Sequence, residues 1–312
     1  MRKTYGKTLP GMKLDDLAGK LIVIEGTDGA GRTTQIDMLK PWLEERGHAV
    51  LDTGMTRSAL AGEGIRRAKE GNNLGSVTQT LFYATDFIDR FENEIVPALR
   101  AGFIVLTDRY IYSLMARAIV RGMDPAWIRS IFSAALVPDA VFYLRLNVEE
   151  LIPRVVFSRG FDYWESGMDV FPGHDMYESF RAYQNALLSE FERLGAEYNF
   201  RVIDASAEPR VVFAQLKAKV MGILEGDSRE AFVARVKERA AEKPAALALP
   251  AMRVAPVLPA FEPVVPAAAS NVNREIDLLF QSMVAHYSDH THMHANASVN
   301  GNGNGHGTHH PK

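Results

Sequence analysis

A glycine-rich segment near the N-terminus contains the residues best suited to bind phosphate. From Gly26 to Thr33 the sequence GTDGAGRT fits the pattern G-x-x-x-x-G-K-[ST], except that Arg32 replaces the lysine. The glycines allow a tight turn whose backbone N–H groups point at phosphate oxygens, and the Thr33 hydroxyl is placed to hold Mg²⁺. The predicted phosphate-binding residues are Gly26, Thr27, Asp28, Gly29, Ala30, Gly31, Arg32, Thr33 and Thr34.

The elements on either side of this segment are those that a phosphate loop requires. The apolar run Leu21–Ile24 predicts a buried parallel strand. A helix is expected from about Thr33 to Arg46, with a kink at Pro41, and its N-terminus would add positive charge beside the loop. The alternative is a glycine-rich turn without a ligand. The order of strand, loop and helix favours the phosphate loop.

Two charged residues follow further predicted strands. Asp108 lies beyond the apolar run Phe103–Leu106, where a carboxylate is typical of the Walker-B position that holds Mg²⁺ or its waters. Arg57 lies beyond the predicted strand His48–Asp52. Arg57 is either a solvated surface charge or a ligand for an anionic substrate. Its place beyond the carboxyl end of a strand favours the ligand, because open α/β sheets bind ligands there.

Predicted strands and helices alternate throughout residues 20–226. This alternation predicts an α/β fold with a parallel sheet covered by helices on both faces. With the phosphate loop, it indicates the three-layer P-loop NTPase fold with a five-stranded sheet. Helical spacing of apolar residues predicts one helix over Ser76–Arg100. The segment Gly160–Asp175 lacks clear periodicity, and we expect it to form a mobile lid.

The composition narrows the class of protein. The 312 residues are 47% hydrophobic and 23% charged, as in an ordinary soluble protein. A net charge of −3 gives no sign of a bulk nucleic-acid binder, so we expect local phosphate recognition and no nucleic-acid polymer as partner. The lack of cysteine excludes disulfides and thiolate metal sites. No signal-peptide or transmembrane run is apparent, and we expect a cytoplasmic protein without membrane partners.

The composition changes beyond residue 226, which predicts appended segments after one large domain. The alternation of strands and helices stops there, and Ala/Pro-rich and His/Asn/Gly-rich tracts follow. The expected segments are an N-terminal arm (1–19), a phosphate-loop domain (20–226), a charged helix (227–243), an Ala/Pro-rich linker (244–269), a short amphipathic helix (270–287) and a disordered tail (288–312).

Taken in order, these motifs resemble the thymidylate kinase family of nucleoside-monophosphate kinases. The similarity spans about residues 20–225. The phosphate loop alone is common to many NTPases, whereas its combination with the other motifs is fairly specific. The segments that carry the resemblance are Ile22–Gln35, Leu81–Ala84, Asp108–Tyr110 with Ser113, Pro138–Asp139, Arg159–Gly160 with Glu165, and Ile203–Ala205.

The resemblance implies transfer of the γ-phosphoryl group of ATP to dTMP, with Mg²⁺ as cofactor and a homodimer as the expected assembly. It implies that Asp28 reaches the sugar 3′-hydroxyl and that Phe82 stacks on the base. Arg57 and Arg109 would clamp the acceptor phosphate. The implied catalytic residues are Arg32, Asp108 and Arg159, with Thr33 and Asp108 at the metal.

Three positions depart from the family pattern. Arg32 replaces the loop lysine, and a guanidinium is planar and bulkier than an ammonium. Asp86 replaces an arginine that donates to the base, and an acceptor there would prefer a base edge offering N–H groups. Tyr163 replaces a lid arginine of many bacterial members, which removes one cation from the transition state.

The leading hypothesis is therefore an ATP- and Mg²⁺-dependent kinase that phosphorylates dTMP to dTDP. One alternative is a catalytically impaired nucleotide-binding protein of the same fold with a regulatory or assembly role. A second alternative keeps the kinase chemistry and changes the acceptor to another nucleotide or a nucleoside. The departures at Arg32, Asp86 and Tyr163 motivate the first alternative, and the departure at Asp86 motivates the second.

Overall fold

The computed structural model describes residues 2–72 and 74–225. The segments predicted over residues 227–312 lie outside the described residues. The strands are β1 (Lys20–Glu25), β2 (Val50–Gly54), β3 (Ile104–Asp108), β4 (Ala140–Arg145) and β5 (Arg201–Asp204). The helices are α1 (Arg32–Glu44), α2 (Gly62–Glu70), α3 (Ser76–Arg90), a π-helical turn (Phe91–Ile95), α4 (Val96–Arg100), α5 (Ile111–Val120), α6 (Pro125–Ile131), α7 (Val148–Ser158), α8 (Met176–Tyr198) and α9 (Pro209–Glu225).

The five strands form one parallel sheet in the order β2-β3-β1-β4-β5. In the register of β1 with β3, Ile24 lies opposite Asp108. The chain leaves β1 toward β2 and β3 and then returns to place β4 on its other side. The phosphate loop and Asp108 therefore meet at the carboxyl edge of the sheet, beside the strand where the direction of winding reverses.

Alternate residues of β1 contribute to two separate hydrophobic cores, which makes the fold three-layered. Leu21 and Val23 pack in one core with residues of α3, α5 and α8. Ile22 and Ile24 pack in the other with residues of α1, α7 and α9. Burial on both faces accounts for the continuous apolar run of this strand. The predicted α/β fold with a five-stranded parallel sheet is confirmed.

The predicted helix over residues 76–100 contains a π-helical turn. Within it, the Val96 N–H donates to the carbonyl oxygen of Phe91, five residues earlier. The next residue, Pro97, has no backbone N–H. It cannot donate an α-helical hydrogen bond, and the π-helical turn ends just before it. Pro41 lies inside α1, and the kink expected there stays a prediction.

The segment predicted as a lid consists of turns between α7 and α8 and is anchored by its aromatic residues. Trp164 is only 2% exposed. Its Nε1 donates to the carbonyl oxygen of Lys69 at 2.9 Å, which ties the lid to the end of α2. Ser179 Oγ donates to the carbonyl oxygen of Ser166 at 2.7 Å. The mobility of this segment stays a prediction.

The residues before β1 lie against the rest of the domain. The Thr4 backbone forms an isolated antiparallel bridge with Leu136, and Arg2 pairs with Asp139 at 2.9 Å. Throughout the described part of the chain, every helix is too short or too polar to span a bilayer.

Candidate active site

The phosphate loop connects β1 to the N-terminus of α1. Gly26 has φ +151°, and a Cβ atom there would lie 3.0 Å from the Leu144 carbonyl oxygen and 3.2 Å from the Ala30 Cβ. Gly31 has φ +90° and directly precedes α1. These backbone conformations are the ones that glycine adopts readily, so the glycines allow the tight turn between β1 and α1.

The Arg32 side chain is folded into the loop that precedes it and is 7% exposed. Its Nε donates to Asp108 Oδ1 at 2.6 Å, and its Nη1 donates to the Gly26 carbonyl oxygen at 2.6 Å. Nη1 also donates to the carbonyl oxygen of Thr27. The guanidinium therefore supplies positive charge inside the loop, in the region where the lysine of the usual pattern would lie.

Thr33 and Asp108 provide the oxygen donors that the sequence predicts for Mg²⁺. Thr33 Oγ1 donates to Asp108 Oδ2 at 3.2 Å. Within residues 2–72 and 74–225, there is no group of three or more acidic or histidine side chains that could hold a metal ion. Mg²⁺ is commonly bound by one or two protein oxygens together with substrate phosphates and water. The donor pair at Thr33 and Asp108 fits that pattern of binding.

Asp28 is the centre of a cluster of arginines. Its side chain is 6% exposed, and its two oxygens accept hydrogen bonds from Arg109 Nη2 and Arg117 Nη2. Arg159 Nη2 lies 3.5 Å from Asp28 Oδ1, and Arg32 Nη2 lies 3.9 Å from the same atom. The structure thus brings together residues of the loop, of the segment after β3, of α5 and of the lid edge.

The charges of this cluster determine the protonation of its carboxylates. Burial by itself would raise the pKa of Asp28, but Arg109, Arg117 and Arg32 outweigh burial and hold that pKa well below its usual value. The same balance of burial against Arg32 and Arg109 lowers the pKa of Asp108. Both carboxylates are therefore ionised at neutral pH.

Glu25 fixes the backbone that carries Arg109. Arg109 has φ +67°, a left-handed conformation that costs about 1–3 kcal/mol in a residue other than glycine. Glu25 Oε1 accepts from the Tyr110 N–H at 2.8 Å, and Oε2 accepts from Ser113 Oγ at 2.5 Å. These bonds hold the turn between β3 and α5, so that the Arg109 side chain lies over Asp28.

Arg117 is a site residue that the sequence analysis missed. It lies in the apolar helix α5, two helical turns beyond Arg109, and its side chain is 12% exposed. Burial lowers and Asp28 raises the pKa of Arg117, with a net increase. The sequence signal was a single arginine in an otherwise apolar helix. Such an arginine is expected to be buried, and a buried arginine requires a buried partner.

A small, largely enclosed cavity lies between α3 and α5 beside Arg117. Gln79, Thr80 and Tyr83 of α3 line it opposite Arg117, and Trp164 of the lid lines one side. Phe82, predicted to stack on a base, is half-buried on α3, 3.8 Å from where a Cβ on Gly64 would lie. The base contact at Phe82 stays a prediction, and the next residue on α3, Tyr83, lines this cavity.

Arg57 follows β2 and has a side chain that is 42% exposed. Its Nη1 donates to Asp52 Oδ1 at 2.9 Å. A Cβ atom on Gly54 would lie 2.8 Å from the Asp108 carbonyl oxygen and 3.4 Å from Arg57 Nε. The Arg57 guanidinium therefore lies beside the end of β3 and outside the cluster of arginines around Asp28.

Asp86 requires a correction. The family resemblance implies a base contact at this position, but the Asp86 side chain has no exposed surface. Its Oδ1 accepts from the Ser58 N–H and its Oδ2 from the Thr56 N–H, each at 3.0 Å, and Arg90 also donates to Oδ2. Both oxygens are occupied by the protein, so Asp86 is a structural acceptor in the interior.

The edge of the lid carries Arg159 and Tyr163. Arg159 is 51% exposed and bonds to Glu165 as well as approaching Asp28. Burial and the neighbouring Asp28 raise the pKa of Glu165, although Arg117 and Arg159 oppose this. Tyr163 packs edge to face on Trp164, with ring centroids 5.2 Å apart. The lid thus brings one arginine to the cluster and an aromatic pair beside it.

Two buried polar atoms of the site have no hydrogen-bond partner among the described residues. These atoms are Thr27 Oγ1 and Arg109 Nε. Buried polar groups in folded proteins are nearly always paired, and an unpaired one calls for an explanation such as a ligand. Both atoms belong to residues predicted to touch a nucleotide, so the donor set fits a phosphorylated ligand.

Comparison with known proteins agrees with this geometry. Residues 24–216 match the family model described as Thymidylate kinase. The "Probable thymidylate kinase 2" of Saccharolobus solfataricus is 35% identical over 208 residues, which are 66% of this chain and 97% of that protein. The "Thymidylate kinase" of Clavibacter sepedonicus is 32% identical over 211 residues, 65% of this chain and 95% of that protein. The "Probable thymidylate kinase" of Thermococcus kodakarensis is 37% identical over 143 residues, 43% of this chain and 70% of that protein. The chain belongs to the thymidylate kinase family.

Proposed function

We propose that this protein is a nucleoside-monophosphate kinase that transfers the γ-phosphoryl group of ATP to dTMP and releases dTDP and ADP. Its membership of the thymidylate kinase family makes it a phosphotransferase. The choice of dTMP follows from the names of the relatives, and ATP and Mg²⁺ follow from the phosphate loop and from the oxygen pair at Thr33 and Asp108.

The observation that carries this proposal is the convergence of four arginines on Asp28. Arg32, Arg109, Arg117 and Arg159 all lie within 4 Å of its carboxylate. Phosphoryl transfer needs little covalent help from the protein, but it needs alignment of the reacting groups and positive charge around the transferred group. A cluster of fixed cations at the carboxyl edge of the sheet supplies both requirements.

Each residue has a defined task in this proposal. The loop N–H groups and Arg32 bind the phosphates of the donor, and Arg159 approaches the transferred group from the lid. Arg109 and Arg57 bind the acceptor phosphate, and Asp28 accepts from the sugar hydroxyl. Thr33 and Asp108 would hold Mg²⁺, which when bound screens the repulsion between donor and acceptor phosphates.

The alternative of a catalytically impaired nucleotide-binding protein is not favoured. Arg32 keeps a cation inside the phosphate loop. Asp86 is an interior acceptor, so its departure from the family pattern does not remove a group from the phosphate site. The finer proposals are a cytoplasmic location, a homodimer as assembly, and a small nucleotide as partner in place of nucleic acid or membrane.

The experiment that tests the proposal is a coupled assay for ADP release with ATP and Mg²⁺ against a panel of nucleoside monophosphates and nucleosides. We expect turnover with dTMP. Turnover confined to another acceptor would keep the chemistry and change the substrate. Binding of ATP without turnover on any acceptor would overturn the proposal.

A further inference from the structure

Asp86 and Arg90 form an ion pair in the interior of the protein, one helical turn apart on α3. Their side chains are 0% and 1% exposed. Arg90 Nε and Nη2 lie 3.1 Å and 3.0 Å from Asp86 Oδ2. Removing two charges from water is costly, and a buried pair is tolerated when further hydrogen bonds satisfy it. The further bonds all belong to Asp86, since among the described residues the buried Arg90 Nη1 has no hydrogen-bond partner, and they show which part of the chain depends on the carboxylate.

Asp86 accepts hydrogen bonds from the backbone on both sides of Arg57. The Thr56 N–H donates to Oδ2 and the Ser58 N–H to Oδ1, each at 3.0 Å. Thr56 has φ +64°, a left-handed conformation that is unfavourable for a β-branched residue. A charged acceptor that bonds to both neighbours of Arg57 therefore holds the chain in a bend that it would not readily keep by itself.

Asp89, three residues beyond Asp86 on α3, holds the same loop. Ser58 Oγ donates to Asp89 Oδ2 at 2.5 Å, and the Ala61 N–H donates to Ser58 Oγ at 2.9 Å. The strand side of the loop is fixed as well, because the Met55 N–H donates to the Asp108 carbonyl oxygen at 3.2 Å. The backbone of Arg57 is thus tied to α3 and to the end of β3, while its side chain remains half-exposed.

We propose that Asp86 is a positioning residue, which with Arg90 holds the loop of residues 55–58 so that Arg57 is presented to the phosphate of the acceptor nucleotide. Asp89 supports the same loop through Ser58. This inference rests on the proposed function, since it assigns a purpose to the acceptor-binding task of Arg57. Asp86 then acts on the substrate indirectly, through its hydrogen bonds to the backbone of the loop, and not by contacting the base.

The test is a double-mutant cycle in the ADP-release assay, with the KM for acceptor, the KM for ATP and kcat measured separately. We expect Asp86→Asn to raise the acceptor KM about tenfold and to leave the ATP KM within about twofold. In an Arg57→Ala background, the same substitution should leave the acceptor KM within about twofold, because its effect passes through Arg57. Glu63→Gln is the matched control, since Glu63 is a surface carboxylate that pairs with Arg66 and Arg67 on α2.

Asp89→Asn provides a second variant if Asp86→Asn does not fold, because Asp89 lies closer to the surface. We expect Asp89→Asn to raise the acceptor KM as well, and only when Arg57 is present. An unchanged acceptor KM in a folded variant, or an equal rise with and without Arg57, would overturn the inference alone. Wild-type protein without turnover on any acceptor would overturn the proposed function and the inference with it.

Discussion

Arg32 Nε donates to Asp108 Oδ1 over 2.6 Å, which joins the phosphate loop to the end of β3 through a cation. The same guanidinium donates to the Gly26 carbonyl oxygen. Arg32 replaces the lysine of the usual loop sequence and still keeps a positive charge in the loop. The planar group makes several directed bonds at once, whereas an ammonium is a compact point charge.

The first prediction concerns this guanidinium. Arg32→Ala should lower kcat by about 10² to 10³, the usual effect of removing one group that stabilises transition-state charge. Arg32→Lys restores the charge and should remain within about tenfold of wild type. Arg46→Ala is the control, because Arg46 lies just beyond α1 and stacks on Trp42. Activity of Arg32→Ala equal to that of wild type would remove Arg32 from the catalytic machinery.

The second prediction concerns Asp28. Asp28→Asn removes the counter-charge of Arg109 and Arg117, and breaking a buried ion pair costs about 3–5 kcal/mol of unfolding free energy. Urea denaturation of the protein without ligand should show this loss. Glu63→Gln, which also separates a carboxylate from two arginines but at the surface, should change little. A variant as stable as wild type without ligand would contradict the role of Asp28 as counter-charge.

The third prediction concerns Arg117, which lines the cavity between α3 and α5 and bonds to Asp28. Arg117→Met keeps much of the side-chain length and removes the charge. We expect the acceptor KM to rise at least about tenfold, equivalent to about 1.4 kcal/mol, with the ATP KM within about twofold. Arg129→Met is the control, since Arg129 pairs with Glu197 at the surface. Equal increases in both KM values would indicate general damage to the site.

The fourth prediction concerns pH and Glu25. Burial raises the pKa of Glu25, although Ser113 and Tyr110 donate to its carboxylate. The folded protein then holds the proton more tightly than the unfolded chain, so the free energy of unfolding should fall as pH rises from about 4.3 to the raised pKa. The slope contributed by one such group is at most about 1.4 kcal/mol per pH unit. Glu25→Gln cannot titrate and should lack this part of the dependence.

Urea denaturation of wild type and Glu25→Gln at several pH values between about 4 and 8 checks this prediction. The stability difference between the two proteins should change with pH in favour of the variant as pH rises. A difference that is constant over this range would contradict the raised pKa.

Much of the fold was predictable because buried parallel strands leave a direct signal in the chain. The run Leu21–Ile24 is apolar on both faces, and it lies between the two cores at the centre of the sheet. The end of β3 at Asp108 was predictable for the same reason. The position of Asp108 beside the phosphate loop then followed from the parallel direction of the strands.

The contacts of Asp86 and Arg117 were not predictable in this way. Both residues lie on helices, and helical spacing alone does not say which residue of another element a side chain will meet. Asp86 faces the backbone of a loop 28 to 30 residues earlier, and Arg117 faces Asp28 across the sheet edge. Tertiary packing decides such contacts, so a family pattern at one position was a poor guide to its role here.

Phosphoryl transfer is measured directly by following label from [γ-³²P]ATP to dTMP, with wild type and Arg32→Ala compared at saturating substrates and Mg²⁺. Transfer of the label distinguishes a kinase from an ATPase, which ADP release does not. We expect labelled dTDP with wild type and a yield lower by about 10² to 10³ with Arg32→Ala. Label recovered only as inorganic phosphate would contradict the proposed kinase activity, and equal transfer by both proteins would contradict the catalytic role of Arg32.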